Sequence, residues 1–189
     1  MPSMMIHMLT AYKLCPDAEA LFYIGTIAPD AVQTREEKDI THFRTHENRD
    51  EALAELARKT DKENVFDEGV LLHLFLDRWW DEKSFCCFTD FYKGEDWFAV
   101  YRKEIALASS YIFHNNDWSD AVWQEILSCP KEKYGRAPAV SNDELEYFLN
   151  RNYKWHKENN IGPSAVYPPV FVEDFINEAV VGYTKWRNI

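Results

Sequence analysis

The sequence has no apolar run of the ~18 residues that a transmembrane helix requires. Its opening stretch, MPSMMIHMLTAYKLCPDAEA, has no basic segment ahead of the apolar part. It also lacks a small-residue cleavage site in the arrangement usual for a signal peptide. We therefore expect a cytoplasmic protein with no transmembrane segment.

The chain also lacks an excess of basic residues. It carries 21 Lys and Arg against 32 Asp and Glu, which gives a formal net charge of −11. Proteins that bind long nucleic acids through their phosphates need basic faces, so no long nucleic acid is expected as a partner. A small phosphorylated substrate held by a metal ion remains compatible with this charge.

Cysteine is scarce, and its spacing does not match a thiolate metal site. The four cysteines are Cys15, Cys86, Cys87 and Cys129, and none of them forms a C-x-x-C pair. We expect four reduced and mostly buried thiols.

No internal repeat or low-complexity tract is present, and helical patterns dominate. The length of 189 residues predicts one domain over 1–189, and the 46% apolar fraction is enough for a core. The predicted class is all-α, a single-domain multi-helix bundle. Helices are predicted at 3–14, 18–28, 49–59, 64–82, 95–114, 118–128, 141–157 and 173–186.

The segments between these helices are predicted to be loops. Residues 31–48 are polar and loop-like, and GPSAVYPPV is expected to be extended because prolines interrupt it. Residues 141–189 are too few to form a core of their own. Their helices should therefore pack on the same helical body as the rest of the chain. His156 lies at a polar helix end and is predicted to be exposed to solvent.

The stretch VLLHLFLDRWWD, residues 70–81, is the most informative part of the chain. On a helical wheel its apolar residues cover most of the circumference, which is typical of a buried helix. His73 and Asp77 fall on one stripe of this helix, and Asp81 continues it one turn later. A lone buried carboxylate is costly, so the stripe needs a partner. The pair alone is a weak signal, since His73 and Asp77 could bond to each other.

Further histidines and a carboxylate occur in separate segments. His7 lies in a second apolar helix, where a satisfied core histidine is the simpler interpretation. Asp30 ends GTIAPD and could cap the following turn. His42 and His46 lie in DITHFRTHENRD, where either could be a solvated loop residue. Together, however, imidazole and carboxylate without thiolate are the ligands of hydrolytic zinc sites.

Taken in chain order, this pattern resembles the zinc-dependent phospholipase C family and, more broadly, the superfamily that includes single-strand nucleases. The segments that carry the resemblance are MPSMMIH, GTIAPDAV, DITHF and HLFLD, within residues 2–82. The resemblance implies an all-helical fold around a zinc cluster. It implies that one Zn²⁺ is held by Asp30, His42, His73 and Asp77, and that His7 and a bridging Asp77 hold a second.

Members of this family also use their free terminal amine as a ligand. Removal of Met1 would leave Pro2 at the terminus, five residues before His7. The resemblance therefore makes the Pro2 nitrogen a further candidate ligand.

The sequence departs from the family at the third metal. The family supplies a histidine shortly after H-x-x-x-D, but position 83 is Lys, and the next histidine is His114 in FHNNDW. His114 and Asp117 are candidate remnants of that site, and Asp81 is a candidate ligand or support for one. One or two zinc ions, or another divalent metal, are expected.

The function that follows is a metal-dependent hydrolase, a phosphoesterase acting on a small phosphomonoester or phosphodiester. Asp30 would be both a ligand and the base for a bound water. Arg44 and Lys38 could neutralise substrate charge, although solvated loop residues are the simpler interpretation of both.

Two alternatives remain open at this point. One is a metal-stabilised helical protein without catalytic turnover, which the missing third site favours. The other is a helical interaction module in which His73 and Asp77 form a purely structural pair. The oligomeric state does not follow from the sequence.

Overall fold

The computed structural model describes residues 2–188, and it confirms the predicted all-α class. Within that range there are helices and connecting loops and no β-strand. The α-helices are α1 (Met4–Leu14), α2 (Ala20–Ile27), α3 (Arg35–Thr41), α4 (Arg49–Lys59), α5 (Val65–Lys83), α6 (Phe85–Phe91), α7 (Trp97–His114), α8 (Trp118–Ser128), α9 (Asn142–Glu158) and α10 (Pro169–Arg187). Two 3₁₀ helices span Ala28–Ala31 and Lys131–Lys133. Among the described residues, none of the helices has the length and apolar character needed to span a membrane.

The α2–α5 pair forms the centre of the fold, and two glycines allow it to pack closely. A Cβ at Gly25 would lie 2.1 Å from the backbone oxygen of Phe66. A Cβ at Gly69 would lie 2.2 Å from the backbone oxygen of Phe22. These separations are far shorter than van der Waals contact, so each helix needs glycine where the other backbone crosses it. The close crossing brings the end of α2 beside the middle of α5.

Replacing Gly69 by Ala should therefore destabilise the protein by ~2–3 kcal/mol, because overpacking a backbone contact forces the helices apart. Gly182→Ala in α10 is the matched control. Its Cβ would meet only side-chain atoms of Trp79, at 3.1 Å and beyond, and Ala favours the helix. Urea unfolding of both variants measures the difference. Equal stability of the two would show that the crossing is not as tight as described.

The C-terminal helix packs against the N-terminal half of the chain. Helix α10 contacts α1 and α5, and Arg187 near its end donates to Glu68 of α5 through Nε at 2.9 Å. Arg187 also donates to the backbone oxygens of Ala57 and Thr60 at 2.8 and 2.9 Å. These contacts hold α10 against α1 and α5.

Several local predictions were wrong. The segment 31–48 is not all loop, because Thr34 and Glu37 form a capping box that starts α3. Helix α6 was not predicted, and α10 begins at Pro169 rather than 173, since proline suits the first turn of a helix. The four thiols are free as predicted, but Cys15 and Cys86 are exposed and the other two half-buried.

Candidate metal centre

Helix α5 carries His73 and Asp77 completely into the interior. Both side chains are 0% exposed, and apolar residues surround them on the rest of the helix. The i, i+4 spacing places them on one face, as the sequence predicted. They face a space reached by side chains from α1, α3 and the 3₁₀ helix after α2.

A contact with a backbone carbonyl fixes the tautomer of the neutral His73 ring. Its Nδ1 lies 2.8 Å from the carbonyl oxygen of Thr26, which is in the last turn of α2 and can only accept a hydrogen bond. Nδ1 therefore carries the proton in the neutral ring. The lone pair is on Nε2, which is the atom that points into the centre.

The same logic applies to His42, which caps the C-terminus of α3. Its Nδ1 lies 2.8 Å from the carbonyl oxygen of Lys38, so its neutral ring also has the lone pair on Nε2. Phe43 follows in a left-handed backbone conformation with φ 55°, which costs a bulky residue roughly 1–2 kcal/mol. This turn reverses the chain, so that Arg44 returns towards Asp77.

The two Nε2 atoms lie 3.0 Å apart, and carboxylate oxygens surround them. His42 Nε2 is 3.2 Å from Asp30 Oδ1 and 3.4 Å from Asp77 Oδ2, and His73 Nε2 is 3.7 Å from Asp30 Oδ1. Ligands at ~2.0–2.1 Å from a tetrahedral zinc ion are separated from one another by about 3.3 Å. The measured separations bracket that value. His42 Nε2, His73 Nε2 and Asp30 Oδ1 thus lie at separations near those of zinc ligands, and so do His42 Nε2 and Asp77 Oδ2.

His7 approaches the same carboxylate from the other side. Its ring stacks on His73 with centroids 4.1 Å apart, and its Nε2 is 3.4 Å from Asp77 Oδ1. Within residues 2–188 neither ring nitrogen of His7 has a hydrogen-bond partner, and neither does Asp77 Oδ1. Asp77 therefore presents Oδ2 to His42 and Oδ1 to His7. The two oxygens of this carboxylate thus face different histidines.

Asp30 reaches the centre from the 3₁₀ helix Ala28–Ala31, where Pro29 fixes the local backbone. Its Oδ1 lies 2.7 Å from Lys38 Nζ, so an ammonium already pairs with this carboxylate. Burial would raise the pKa of Asp30, but Lys38 and the nearby His73 and His42 lower it well below its usual range. Asp30 is thus ionised at neutral pH, as a metal ligand must be.

Burial and the adjacent His7 imidazole lower the pKa of His73 to about 3, so the ring is neutral at pH 7. Burial would likewise raise the pKa of Asp77, but its contacts with His7 and His42 hold the pKa below its usual range. The centre thus combines a neutral imidazole with ionised carboxylates, which is the state in which each of these groups binds a metal.

The remaining predicted residues divide into two sets. Lys38 and Arg44 lie at the centre rather than in a solvated loop, since Arg44 Nη2 is 3.3 Å from Asp77 Oδ2. Asp81 lies at the surface end of the same stripe and pairs with Arg49 Nη1 at 3.0 Å. Pro2 is buried, directly before the Ser3 cap of the helix that carries His7.

The remnants proposed for a third metal do not join this cluster. His114 is exposed, and its Nε2 lies 2.8 Å from the backbone oxygen of His156. Asp117 is exposed and precedes α8 as its N-cap residue. The groups of residues 2–188 that could hold a metal are His7 with Asp30 and His73, and His42 with His73 and Asp77.

His156 was predicted to be exposed, and this was wrong. It is 2% exposed, its Nδ1 lies 2.7 Å from the carbonyl oxygen of Asn152, and its Nε2 lies 2.9 Å from Ser109 Oγ. The polar sequence NYKWHKENN indicated an exposed residue, but His156 lies on the face of α9 that packs against α7. His46, by contrast, is exposed.

Arg49 is a residue at this centre that sequence reasoning missed. It begins α4 and reaches Asp81, yet its position in a run of charged residues, ENRDE, gave no reason to single it out. The only usable signal was its place shortly after His42 and Arg44.

Comparisons with protein-family models, with curated proteins and with solved structures found no match to this chain. The resemblance to zinc-dependent phospholipases C therefore rests on the sequence motifs and stays a prediction.

Proposed function

We propose that this centre binds a divalent metal, with Zn²⁺ as the preferred ion, and that the protein is a metal-dependent phosphoesterase. Asp30, His42, His73 and Asp77 would hold the first ion. Asp77 Oδ1 and His7 would hold a second. The substrate would be a small phosphomonoester or phosphodiester.

The observation that carries the proposal is the 3.0 Å contact between the Nε2 atoms of His42 and His73. Both Nδ1 atoms face carbonyl oxygens, so two lone pairs would oppose each other beside the carboxylates of Asp30 and Asp77. A cation between them relieves this repulsion. A proton shared by the two rings would also do so, but it would leave the buried Nδ1 of His7 without a hydrogen-bond partner among residues 2–188.

The cationic side chains near the proposed metal site favour a phosphoester as the substrate. A bound divalent metal supplies Lewis acidity and lowers the pKa of a coordinated water. Arg44 and Lys38, which are both partly accessible, place cations next to the ligand carboxylates. These two side chains would orient a phosphoryl group and stabilise its charge, and Asp30 would accept a proton from the water.

One observation favours a second candidate, a metal site that only stabilises the fold. Two imidazoles and two carboxylates are enough to close a tetrahedral shell, whereas catalytic zinc sites keep a position open for water. The ion pair between Asp30 and Lys38 favours a catalytic site, because a carboxylate that is shared with an ammonium group can dissociate from the metal. Turnover distinguishes the two candidates.

We expect chelator-sensitive turnover of a chromogenic phosphomonoester or phosphodiester, and none of single-stranded DNA. The net charge of −11 repels a long polyanion, and most strongly at low salt, while a metal can still attract one phosphate group. The test assays both chromogenic esters, a short-chain phosphatidylcholine and single-stranded DNA with Zn²⁺ and with chelator. Elemental analysis of the same sample is the control. Metal-loaded protein that turns over none of the four would support the stabilising site instead.

A further inference from the structure

Two arginines form a chain of ion pairs at the surface end of the metal-ligand cluster. Arg44 Nη2 lies 3.3 Å from Asp77 Oδ2 and 3.6 Å from Asp81 Oδ2. Arg49 Nη1 lies 3.0 Å from the same oxygen of Asp81. One carboxylate therefore joins the two guanidinium groups, and Arg49 is a near neighbour of the ligand Asp77.

The other side of the Arg49 guanidinium has no acceptor. Its Nε and Nη2 atoms are shielded from solvent and make no hydrogen bond within the part of the chain that the structure describes. A buried donor without a partner costs ~1–3 kcal/mol, and more when it is charged. Arg44 differs, because its two terminal nitrogens reach Asp39, Asp77 and Asp81.

Two other arginines show what this side of the group does when it has a partner. Arg78 binds Asp50 through Nε and through Nη2, the latter at 2.9 Å. Arg187 binds Glu68 through Nε at 2.9 Å and Nη2 at 2.5 Å. In each case the Nε–H and Nη2–H groups bind the two oxygens of one carboxylate. The Nε–H and Nη2–H groups of Arg49 have no such anion among residues 2–188.

We propose that Arg49 is a specificity-determining residue, which binds oxygens of a phosphoryl group of the substrate through Nε and Nη2. This inference rests on the proposed function, because it places the bound phosphoryl group beside the metal ligands. Guanidinium suits this role, since its planar fork matches phosphate geometry and stays charged at all relevant pH values. Arg49 begins α4 directly after the exposed residues 45–48, and its side chain is 18% exposed.

The test is a calorimetric titration with inorganic phosphate of wild type, Arg49→Gln, Arg49→Lys and Arg78→Gln. The last is a matched control, because Arg78 of α5 pairs with Asp50 of α4 just as Arg49 of α4 pairs with Asp81 of α5. Arg49→Gln should weaken phosphate binding by roughly tenfold or more, as expected for loss of a charge-assisted bidentate contact. Arg49→Lys should lose less, and Arg78→Gln should stay within about twofold of wild type, since its fork is already satisfied.

The metal content of every sample is measured in parallel. Unchanged phosphate affinity in Arg49→Gln would overturn the inference, and so would an equal loss in Arg78→Gln, which would point to α4–α5 packing. Loss of metal from Arg49→Gln would also overturn it, because the effect would then act through the metal centre. A chain without metal or turnover, in which Arg49→Gln still loses phosphate binding, would defeat the phosphoesterase proposal and leave the anion site standing.

Discussion

Replacing His73 by Ala should remove the bound metal and abolish the effect of a chelator on the melting temperature. His73 belongs to both groups of residues that could hold a metal, so either site loses a ligand. The proposed ligands come from separate segments, so a bound metal would favour the folded chain and stabilise it. Free metal at a thousand times its dissociation constant would contribute ~4 kcal/mol. Elemental analysis and melting curves, with chelator and with Zn²⁺ restored, measure both effects.

His46→Ala is the matched control for this experiment. His46 lies four residues from His42, is exposed and belongs to neither donor group, so its loss should leave metal content and melting unchanged. A wild-type sample that melts identically with and without verified bound metal would contradict the prediction. Equal metal loss in both variants would show that the ligand set is wrong.

The second large effect concerns acid stability and His156. Burial lowers the pKa of this histidine from 6.5 to about 4. The unfolded chain therefore binds a proton as the pH falls through 6.5, whereas the folded chain does not until about pH 4. Stability contributed by the neutral His156 is present above pH 6.5 and is lost between pH 6.5 and 4. The difference between the two pKa values corresponds to ~3 kcal/mol of unfolding free energy.

Urea unfolding of chelator-treated protein between pH 7.5 and 4 measures this loss without the metal. His156→Gln, whose amide can still bond to Ser109, should lose about 3 kcal/mol less than wild type over that range. His46→Gln should follow wild type, because His46 is exposed. An identical pH dependence for wild type and His156→Gln would mean that the buried histidine does not resist protonation.

Local sequence chemistry predicted much of the helical frame. The apolar run of α5 lies where the pattern placed it, because a helix that is apolar nearly all round can only be buried. The helix predicted at 141–157 is α9, and a capping box of Ser141 and Glu144 starts it. Such signals lie within a few residues of the structure they specify, so they can be read without knowing the fold.

Predictions that depended on distant contacts were less successful. Helix α3 was not predicted because its apolar pattern is weak, although the spacing of Thr34 and Glu37 is that of a capping box. The burial of His156 depends on Ser109, 47 residues away in the chain. The importance of Arg49 depends on Asp81, which an adjacent helix brings to it.

The sequence by itself determined the all-α class, the central helix and the placement of His73 and Asp77 on one face of it, because each follows from periodicity. It also indicated which other residues belonged with that pair. Only the tertiary structure decided that Asp30, His42 and His7 meet there. Gly25 and Gly69 allow α2 and α5 to cross closely, and the carbonyl oxygens of Thr26 and Lys38 turn two Nε2 lone pairs towards one point. Those orientations arise from contacts between segments that are far apart in the chain.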